Sequence, residues 1–174
     1  MNKRKSEQSK QFKQLVSDRV AMMKQVNALR QSLFKQQLNF IDDSAKEKAA
    51  VCGRRAGKTR AIGIDLLCTG LQEQCLLGYI ALTRLTAKRI LWNDLKRLND
   101  TFRLGLSFNI SEMILSFPNG SQLFLIGGNS EDEIEKLRGN AYAKVVMDEC
   151  GSFRMHLKSL IDDVLKWSMA DKQG

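Results

Sequence analysis

Apolar residues recur with helical spacing near the N-terminus of the chain. Residues 11–39 contain no proline or glycine, and their apolar positions follow one helical face: Phe12, Leu15, Met22, Val26, Leu29 and Leu33. The spacing predicts one long amphipathic helix, whose partial heptad is broken by Arg19 and Gln36. Packing of the apolar face on the body of the same chain is the favoured interpretation, and docking to another subunit is the alternative.

Beyond this helix, short apolar runs alternate with helical patterns. The runs at 50–52, 75–82 and 143–147 suit buried strands, and helical spacing marks 59–67 and 86–98. The longest run has no charged residue, which indicates a central strand covered on both faces. This alternation predicts an α/β fold with a mainly parallel sheet flanked by helices.

Two β-rich runs interrupt the alternation. Residues 113–117 and 121–126 flank a Pro-Asn-Gly sequence at 118–120. Asparagine and glycine tolerate the positive φ that tight turns demand, so the pattern predicts an inserted β-hairpin. Short helical patterns follow at 131–137 and 151–169.

Basic residues are concentrated in the first third of the chain. The formal net charge is +9, and residues 1–60 hold 15 of the 28 Lys and Arg residues but only 5 of the 19 Asp and Glu residues. Such a segment suits contact with nucleic-acid phosphates or, equally, a solvated helix face. We divide the chain into a basic helical arm at 1–35 and an α/β domain at 36–174. No apolar run reaches membrane-spanning length, so we expect no membrane partner.

A glycine-punctuated basic turn links the predicted strand at 50–52 to the next helix. Gly53 and Gly57 permit a tight loop, which ends in Lys58 and Thr59. In a strand, loop and helix of this kind, backbone N–H groups point at a phosphate, the lysine reaches the β- and γ-phosphates, and the threonine hydroxyl can bind Mg²⁺. Cys52 stands where the usual pattern has its first glycine. The alternative is a basic surface turn.

Two adjacent carboxylates end the apolar run at 143–147. Placed beside the strand at 50–52, this run would bring Asp148 to the carboxyl edge of the sheet, where open α/β sheets bind ligands. Asp148 could hold Mg²⁺ through its water shell, and Glu149 could orient or deprotonate an attacking water. An isolated Asp-Glu pair would suit a solvated strand end, but its occurrence after a glycine loop predicts a nucleoside triphosphate site.

The segment 36–43 is predicted to be a connector ahead of the first strand. It contains Gln37 and Phe40 just upstream of the glycine loop. The glutamine is well placed to read an adenine and the aromatic ring to stack on it, although both would also serve as packing residues.

Three sequence features together resemble the large terminase subunit of tailed bacteriophages, an ATPase motor that packages DNA into capsids. They are the glycine loop at 52–59 with its two arginines, the Pro-Asn-Gly-Ser turn at 118–121, and the segment 137–142 that leads into Asp148 and Glu149. The resemblance covers most of the chain from about residue 36. It implies a P-loop NTPase fold of the ASCE type.

The resemblance also implies ATP and Mg²⁺ as cofactors and gives roles to individual residues. Lys58 and Thr59 would serve phosphate and Mg²⁺, Asp148 would be the Walker B aspartate, and Glu149 the catalytic glutamate. Gln37 would lie in the adenine-binding segment. The nucleotide-binding loop would comprise Gly53, Arg54, Arg55, Ala56, Gly57, Lys58, Thr59 and Arg60.

Arginines receive two further roles from the resemblance. Arg54 or Arg55 would sense the γ-phosphate, and Arg138 would be an arginine finger that reaches the nucleotide of a neighbouring subunit. The spacing alone does not establish the finger, because an ion pair of Arg138 with Glu135 or Glu131 is a comparable alternative.

The partners implied are double-stranded DNA, the portal protein, the small terminase subunit and further copies of the chain in a ring, in the cytoplasm of the bacterial host. Large terminases continue with a coupling motif and a nuclease domain, neither of which this sequence contains. We therefore expect an ATPase part that is weakly active alone and does not cleave DNA. The alternatives are a helicase or recombination-type DNA-dependent ATPase, and a non-catalytic DNA- or subunit-binding fragment with a nucleotide site.

Overall fold

The elements of the fold are taken from a computed structural model, which describes residues 2–53, 55–129, 134–135, 137, 139–153 and 157–165. The helices are α1 (Asn2–Gln31), α2 (Lys35–Asp42), α3 (Lys58–Gln72), α4 (Arg84–Ala87), α5 (Asn93–Phe102) and α6 (Leu157–Ser159). The strands are β1 (Leu76–Ala81), β2 (Ser107–Asn109), β3 (Ile114–Ser116), β4 (Gln122–Gly127) and β5 (Tyr142–Met147). Wider π-helical turns cover Lys88–Trp92 and Leu160–Leu165, and a 3₁₀ turn covers Cys150–Ser152.

A five-stranded sheet with the order β2-β3-β4-β1-β5 forms the centre of the molecule. Strand β1 pairs in parallel with β4 on one side and with β5 on the other. Its Leu77, Tyr79 and Ile80 are fully buried, as a strand covered on both faces requires. The prediction of a central strand at 75–82 in an α/β fold is therefore confirmed.

The predicted hairpin is also present. Strands β3 and β4 pair antiparallel, with Leu115 opposite Leu123. The N–H of Phe117 donates to the Ser121 carbonyl at 2.9 Å, and Gly120 has the positive φ of +87° that the tight turn requires.

The hairpin turn caps the C-terminal end of α3. The Asn119 side-chain amide donates to the carbonyl oxygens of Gly70 at 2.8 Å and Leu71 at 3.2 Å. The buried Ser121 hydroxyl donates to the Glu73 carbonyl at 2.7 Å. Carbonyls at a helix C-terminus have no partner within the helix, so these contacts satisfy groups that would otherwise need water.

The strand predicted at 50–52 is wrong. These residues are irregular and exposed, and Val51 keeps 98% of its surface accessible. A three-residue run becomes a strand only by pairing, and residues 50–52 pair with none of the strands of the described sheet, β2-β3-β4-β1-β5. The strand that carries Asp148 accordingly lies beside β1 and not beside 50–52, which corrects the predicted placement.

The long helix predicted at 11–39 is present as far as Gln31 but does not continue to residue 39, and the connector predicted at 36–43 is mostly helical. Helix α1 ends at Gln31, and α2 begins after a break at 32–34. The Ser32 hydroxyl donates to the Leu29 carbonyl, and the Phe34 N–H donates to the Gln37 side-chain oxygen at 2.9 Å. Such local side-chain bonds compete with helix continuation, and the second one caps the start of α2.

The expected packing of α1 on the body of the chain holds only for its last turns. Val26 and Leu29 are buried, whereas Phe12 and Leu15 each remain 68% exposed. Every side chain from residue 7 to residue 20 is exposed. The N-terminal part of the helix thus leaves its apolar residues without a partner in the described part of the chain.

The later helices follow the predicted patterns in part. The pattern at 86–98 is confirmed, since Leu91, Leu95 and Leu98 are buried on one side of α4, the π-helical turn and α5. The last helix, predicted as continuous over 151–169, is interrupted within its described part by irregular backbone after Ser152. Most of the acidic segment predicted at 131–137 lies outside the described residues. None of the described helices is long and apolar enough to cross a membrane.

Candidate nucleotide site

The glycine loop owes its shape to Gly57. This residue has a φ of +79° and forms the N-cap of α3. A Cβ atom there would lie 2.6 Å from the Gln37 amide nitrogen, the end of a flexible side chain, so the positive φ is what disfavours any other residue. Arg55 is also left-handed, with a φ of 63°, and its side chain is exposed. The second glycine of the motif is therefore a structural requirement.

The first turn of α3 is open to an anion. No side chain caps the helix start, although helix N-termini carry N–H groups without intrahelical partners. Lys58, Thr59 and Arg60 form this turn and are half-buried, while Gly53 and Ala56 are exposed. The positive end of a 15-residue helix and its free amides together favour a phosphate at this position.

The Lys58 ammonium lies within the loop. It donates to the carbonyl oxygens of Cys52 at 3.0 Å and Gly53 at 3.3 Å. Both acceptors are neutral, and a phosphate oxygen would form the stronger, charge-assisted bond. The side chain is thus placed where an incoming phosphate can compete for it.

Gln37 connects α2 to the loop. Its side-chain nitrogen donates to the Gly57 carbonyl at 3.0 Å, while its oxygen accepts the Phe34 N–H. The structure therefore brings Gln37 beside the glycine loop, as its predicted role requires. Each end of the amide makes one bond within the chain, so one N–H and one oxygen lone pair remain for an adenine.

At the end of β5, Asp148 is buried and held by two donors. The Tyr79 hydroxyl donates to Oδ2 at 2.7 Å, and the Glu149 N–H donates to Oδ1 at 2.9 Å. The Asp148 N–H donates to the Ile80 carbonyl at 2.9 Å, which fixes the strand end against β1. Burial raises the pKa of Tyr79 well above its usual value, and the bond to Asp148 raises it further. The hydroxyl therefore stays a donor at physiological pH.

Glu149 presents its side chain to solvent from an uncommon backbone conformation. Its φ of 53° and ψ of 44° are left-handed, which costs a non-glycine residue about 1–2 kcal/mol. The carbonyl of Glu149 accepts the Ser152 N–H at 2.8 Å, so the turn that follows holds this conformation. Residues in such strained conformations cluster at functional sites, and this one carries an exposed carboxylate next to Asp148 in the sequence.

The fold brings the loop and the two carboxylates to the same edge of the sheet. Only residues 73–75 separate the end of α3 from the start of β1, and the two elements are about 20 Å long. The start of α3 consequently lies near the end of β1, where the parallel β5 also ends. An ion pair between Lys144 and Asp65 at 2.7 Å ties β5 directly to α3.

The donors at this edge suit a metal that is held mainly by a nucleotide. The described residues contain no group of three or more His, Cys, Asp or Glu side chains that could hold an ion unaided. Mg²⁺ in nucleotide sites takes few protein ligands and completes its shell with phosphate oxygens and water. The Thr59 hydroxyl in the first turn of α3 and the Asp148 carboxylate fit that requirement.

Three residues with contacts near the candidate site were not predicted from the sequence, and two predicted site residues lie outside the described part of the chain. Tyr79, Asp65 and Lys144 were not predicted to act at the site. A hydroxyl in the middle of a buried apolar run needs a partner, and this signal was available for Tyr79. The predicted roles of Arg54 and Arg138 concern residues outside the described part of the chain.

Comparison with protein families gives one match over the α/β part of the chain. A family described as "Terminase large subunit, T4likevirus-type, N-terminal" matches residues 50–160. This range contains the glycine loop, all five strands and both carboxylates at the end of β5. No curated protein sequence matches the chain.

Solved structures share the fold. The ATPase domain of the Thermus phage P74-26 large terminase is similar with a TM-score of 0.63 and 19% identity, over 82% of this chain and 62% of that one. The large terminase of another thermophilic bacteriophage is similar with a TM-score of 0.62 and 17% identity, over 78% of this chain and 36% of that one.

The second of these terminases has also been solved with nucleotides. Its complex with ADP gives a TM-score of 0.58 and 16% identity, over 75% of this chain and 35% of that one. A further structure of the same protein contains ATP-gamma-S. The chain thus spans less than two thirds of the length of each of these proteins, and the likeness establishes the P-loop NTPase fold.

Proposed function

The chain belongs to the family of large terminase subunits of the T4-like virus type, and from this membership we propose that it is the ATP-binding and ATP-hydrolysing motor domain of a phage DNA-packaging machine. One arrangement supports the proposal: α3 begins without a side-chain cap directly after the glycine loop, and the Lys144–Asp65 ion pair joins α3 to β5, which the two carboxylates follow. The complexes of the thermophilic phage terminase with ADP and ATP-gamma-S support the choice of nucleotide.

Side chains and backbone amides of the chain bind and orient the nucleotide. Lys58 exchanges its two loop carbonyls for phosphate oxygens, and the first amides of α3 hold the same phosphates. Thr59 and Asp148 hold Mg²⁺, which neutralises charge on the phosphates when bound. Glu149, exposed beside Asp148, orients the attacking water and accepts its proton.

The remaining sequence-based assignments are part of the same proposal. Arg54 or Arg55 senses the γ-phosphate, Gln37 reads the adenine, and Arg138 acts on the nucleotide of a neighbouring subunit. Residues 36–174 form the ATPase domain, which works with DNA, the portal protein, the small terminase subunit and other copies of itself, in the host cytoplasm. The hydrogen bond from Gln37 to Gly57 supports the position of Gln37 near the loop, and the exposed Arg55 side chain is open to a nucleotide.

A direct titration tests the nucleotide site. We expect ATP-gamma-S and ADP to bind one site per chain in calorimetry, and adenosine to bind at least about 100-fold more weakly, because the loop and α3 recognise phosphate. Circular dichroism before the titration confirms that the chain is folded. Absence of saturable ATP-gamma-S binding by the folded chain would overturn the proposed function.

The exposed part of α1 supports a second role, as an arm that contacts DNA phosphates. Its side chains from residue 7 to residue 20 are exposed, and they include Lys10, Lys13 and Arg19 against Glu7 and Asp18. Within the arm at 1–35, residues 7–20 are then the part that is free to bind DNA, because Val26, Leu29 and Leu33 are buried in the core. The exposed Phe12 and Leu15 favour instead a protein partner for the apolar side of the same helix.

Removal of residues 2–20, compared with a variant that loses only apolar side chains, tests whether the arm binds DNA. We expect weaker binding to duplex DNA and a shallower dependence of log K on log salt, by about 0.9 for each phosphate that the arm no longer neutralises. ATP-gamma-S affinity should stay unchanged. As a matched control, Phe12→Ser with Leu15→Ser removes apolar surface but no charge and should preserve the salt slope. An unchanged DNA affinity after the deletion would show that the arm does not bind DNA.

A further inference from the structure

Tyr79 places a hydroxyl group against the metal side of the candidate site. The residue is fully buried in β1, and its register partner on β5 is Val146. Its hydroxyl reaches past this partner to Asp148 Oδ2 at 2.7 Å. Each side chain comes from a different strand, and the bond joins them where both strands end.

The bond has a feature that packing alone does not explain. The neighbours of Tyr79 in β1 are apolar or glycine, and a phenylalanine would fill the same volume. An ionised carboxylate offers about four acceptor positions. The Tyr79 hydroxyl and the Glu149 N–H take one on each oxygen of Asp148, so the orientation of the carboxylate is fixed and the other positions stay available.

We propose that Tyr79 is a positioning residue for the metal–nucleotide complex, because its hydroxyl holds the Asp148 carboxylate in the orientation that receives Mg²⁺ or its water ligands. The inference rests on the proposed nucleotide site and deepens it. The Tyr79 hydroxyl donates to Asp148, whereas the Lys58 ammonium donates to the loop carbonyls. Tyr79 acts through Asp148 alone, so it contributes to the part of nucleotide binding that depends on the metal.

The metal-dependent and metal-independent parts of nucleotide binding can be measured without ATP hydrolysis. In the absence of metal, the phosphates are held by Lys58 and by the start of α3, whereas the Tyr79 hydroxyl is bonded to Asp148. With Mg²⁺ present, Asp148 adds its contribution through the metal. The ratio of nucleotide affinity in Mg²⁺ to that in EDTA therefore reports on Asp148 and on the groups that orient it.

The experiment compares Tyr79→Phe with the wild-type chain by calorimetry, using ADP and ATP-gamma-S in Mg²⁺ and in EDTA. We expect Tyr79→Phe to lower the affinity ratio by about 3- to 10-fold, the effect of losing about one ordinary hydrogen bond. The affinity in EDTA should not change. Tyr142→Phe is the matched control, because Tyr142 is equally buried, lies on the adjacent strand β5, and has its hydroxyl near Asn140.

A second variant distinguishes positioning from loss of fold. Asp148→Asn should lower the affinity ratio in the wild-type chain, and by much less in a chain that already carries Tyr79→Phe, because the two residues act as one unit. Equal and additive losses would overturn the proposal, as would an unchanged ratio in Tyr79→Phe or an equal loss in Mg²⁺ and EDTA. If the folded wild-type chain binds no nucleotide, the proposed function itself fails; if it binds but the ratio is insensitive to Tyr79, only this inference fails.

Discussion

Replacing Lys58 by alanine is expected to weaken ATP-gamma-S binding by about 100-fold or more. The nucleotide would lose charge-assisted bonds from the ammonium to two phosphates, worth about 3 kcal/mol together, and about 1.4 kcal/mol corresponds to a tenfold change in affinity. The fold should not suffer, because in the free chain this side chain contacts the loop carbonyls of Cys52 and Gly53. Calorimetric titration of both proteins under the same Mg²⁺ concentration measures the difference.

The chain offers a closely matched control for this substitution. Lys48 is exposed, and its ammonium likewise donates to two backbone carbonyls, those of Phe40 and Ile41. Lys48→Ala removes the same charge from a site outside the loop and should change the affinity by no more than about twofold. Equal affinity in the wild-type chain and in Lys58→Ala would disprove the assignment of the phosphate loop.

Replacing Glu149 by glutamine is expected to leave ATP-gamma-S binding nearly unchanged and to lower the rate of ATP hydrolysis by about 10²- to 10⁴-fold. The amide has the shape of the carboxylate but cannot accept a proton from water, and general base catalysis contributes a factor of this size. The bond from the Glu149 N–H to Asp148 belongs to the backbone and survives the change. Binding and chemistry should therefore separate.

Single-turnover hydrolysis, with the protein in excess over ATP, measures this effect even when the wild-type rate is slow. Glu73→Gln serves as the control, since Glu73 is an exposed carboxylate at the opposite end of α3. Its rate should equal that of the wild-type chain. A Glu149→Gln protein that hydrolyses ATP at the wild-type rate would place the catalytic base elsewhere.

The parts of the fold that could be predicted are those whose signal is local. The run at 75–82 is apolar throughout, and only a strand covered on both faces needs such a sequence. The Pro-Asn-Gly turn at 118–120 encodes a positive φ that the structure places at Gly120. The glycine loop was recognised for the same reason, because the left-handed conformation of Gly57 is a property of a single residue.

The errors concern partners that are distant in sequence. Whether 50–52 forms a strand depends on pairing with a strand that is distant in sequence, and these residues pair with none in the described sheet. Helical spacing placed Phe12 on the apolar face of α1, but it could not show that this face stays exposed at Phe12. The bond between Tyr79 and Asp148 joins residues 69 positions apart, so the sequence around either residue does not identify its partner.

The hairpin turn that closes α3 has a consequence for how this region tolerates change. Loops between strands usually accept insertions and deletions, because their backbone polar groups are solvated. Here the Asn119 amide and the Ser121 hydroxyl occupy the last carbonyls of α3, and the Gly120 backbone passes close to Gln74. An added residue would withdraw both side chains from the helix end, so the length of this turn is set by the helix whose other end is the proposed phosphate site. Epitope tags and labels for fluorescence belong in another loop.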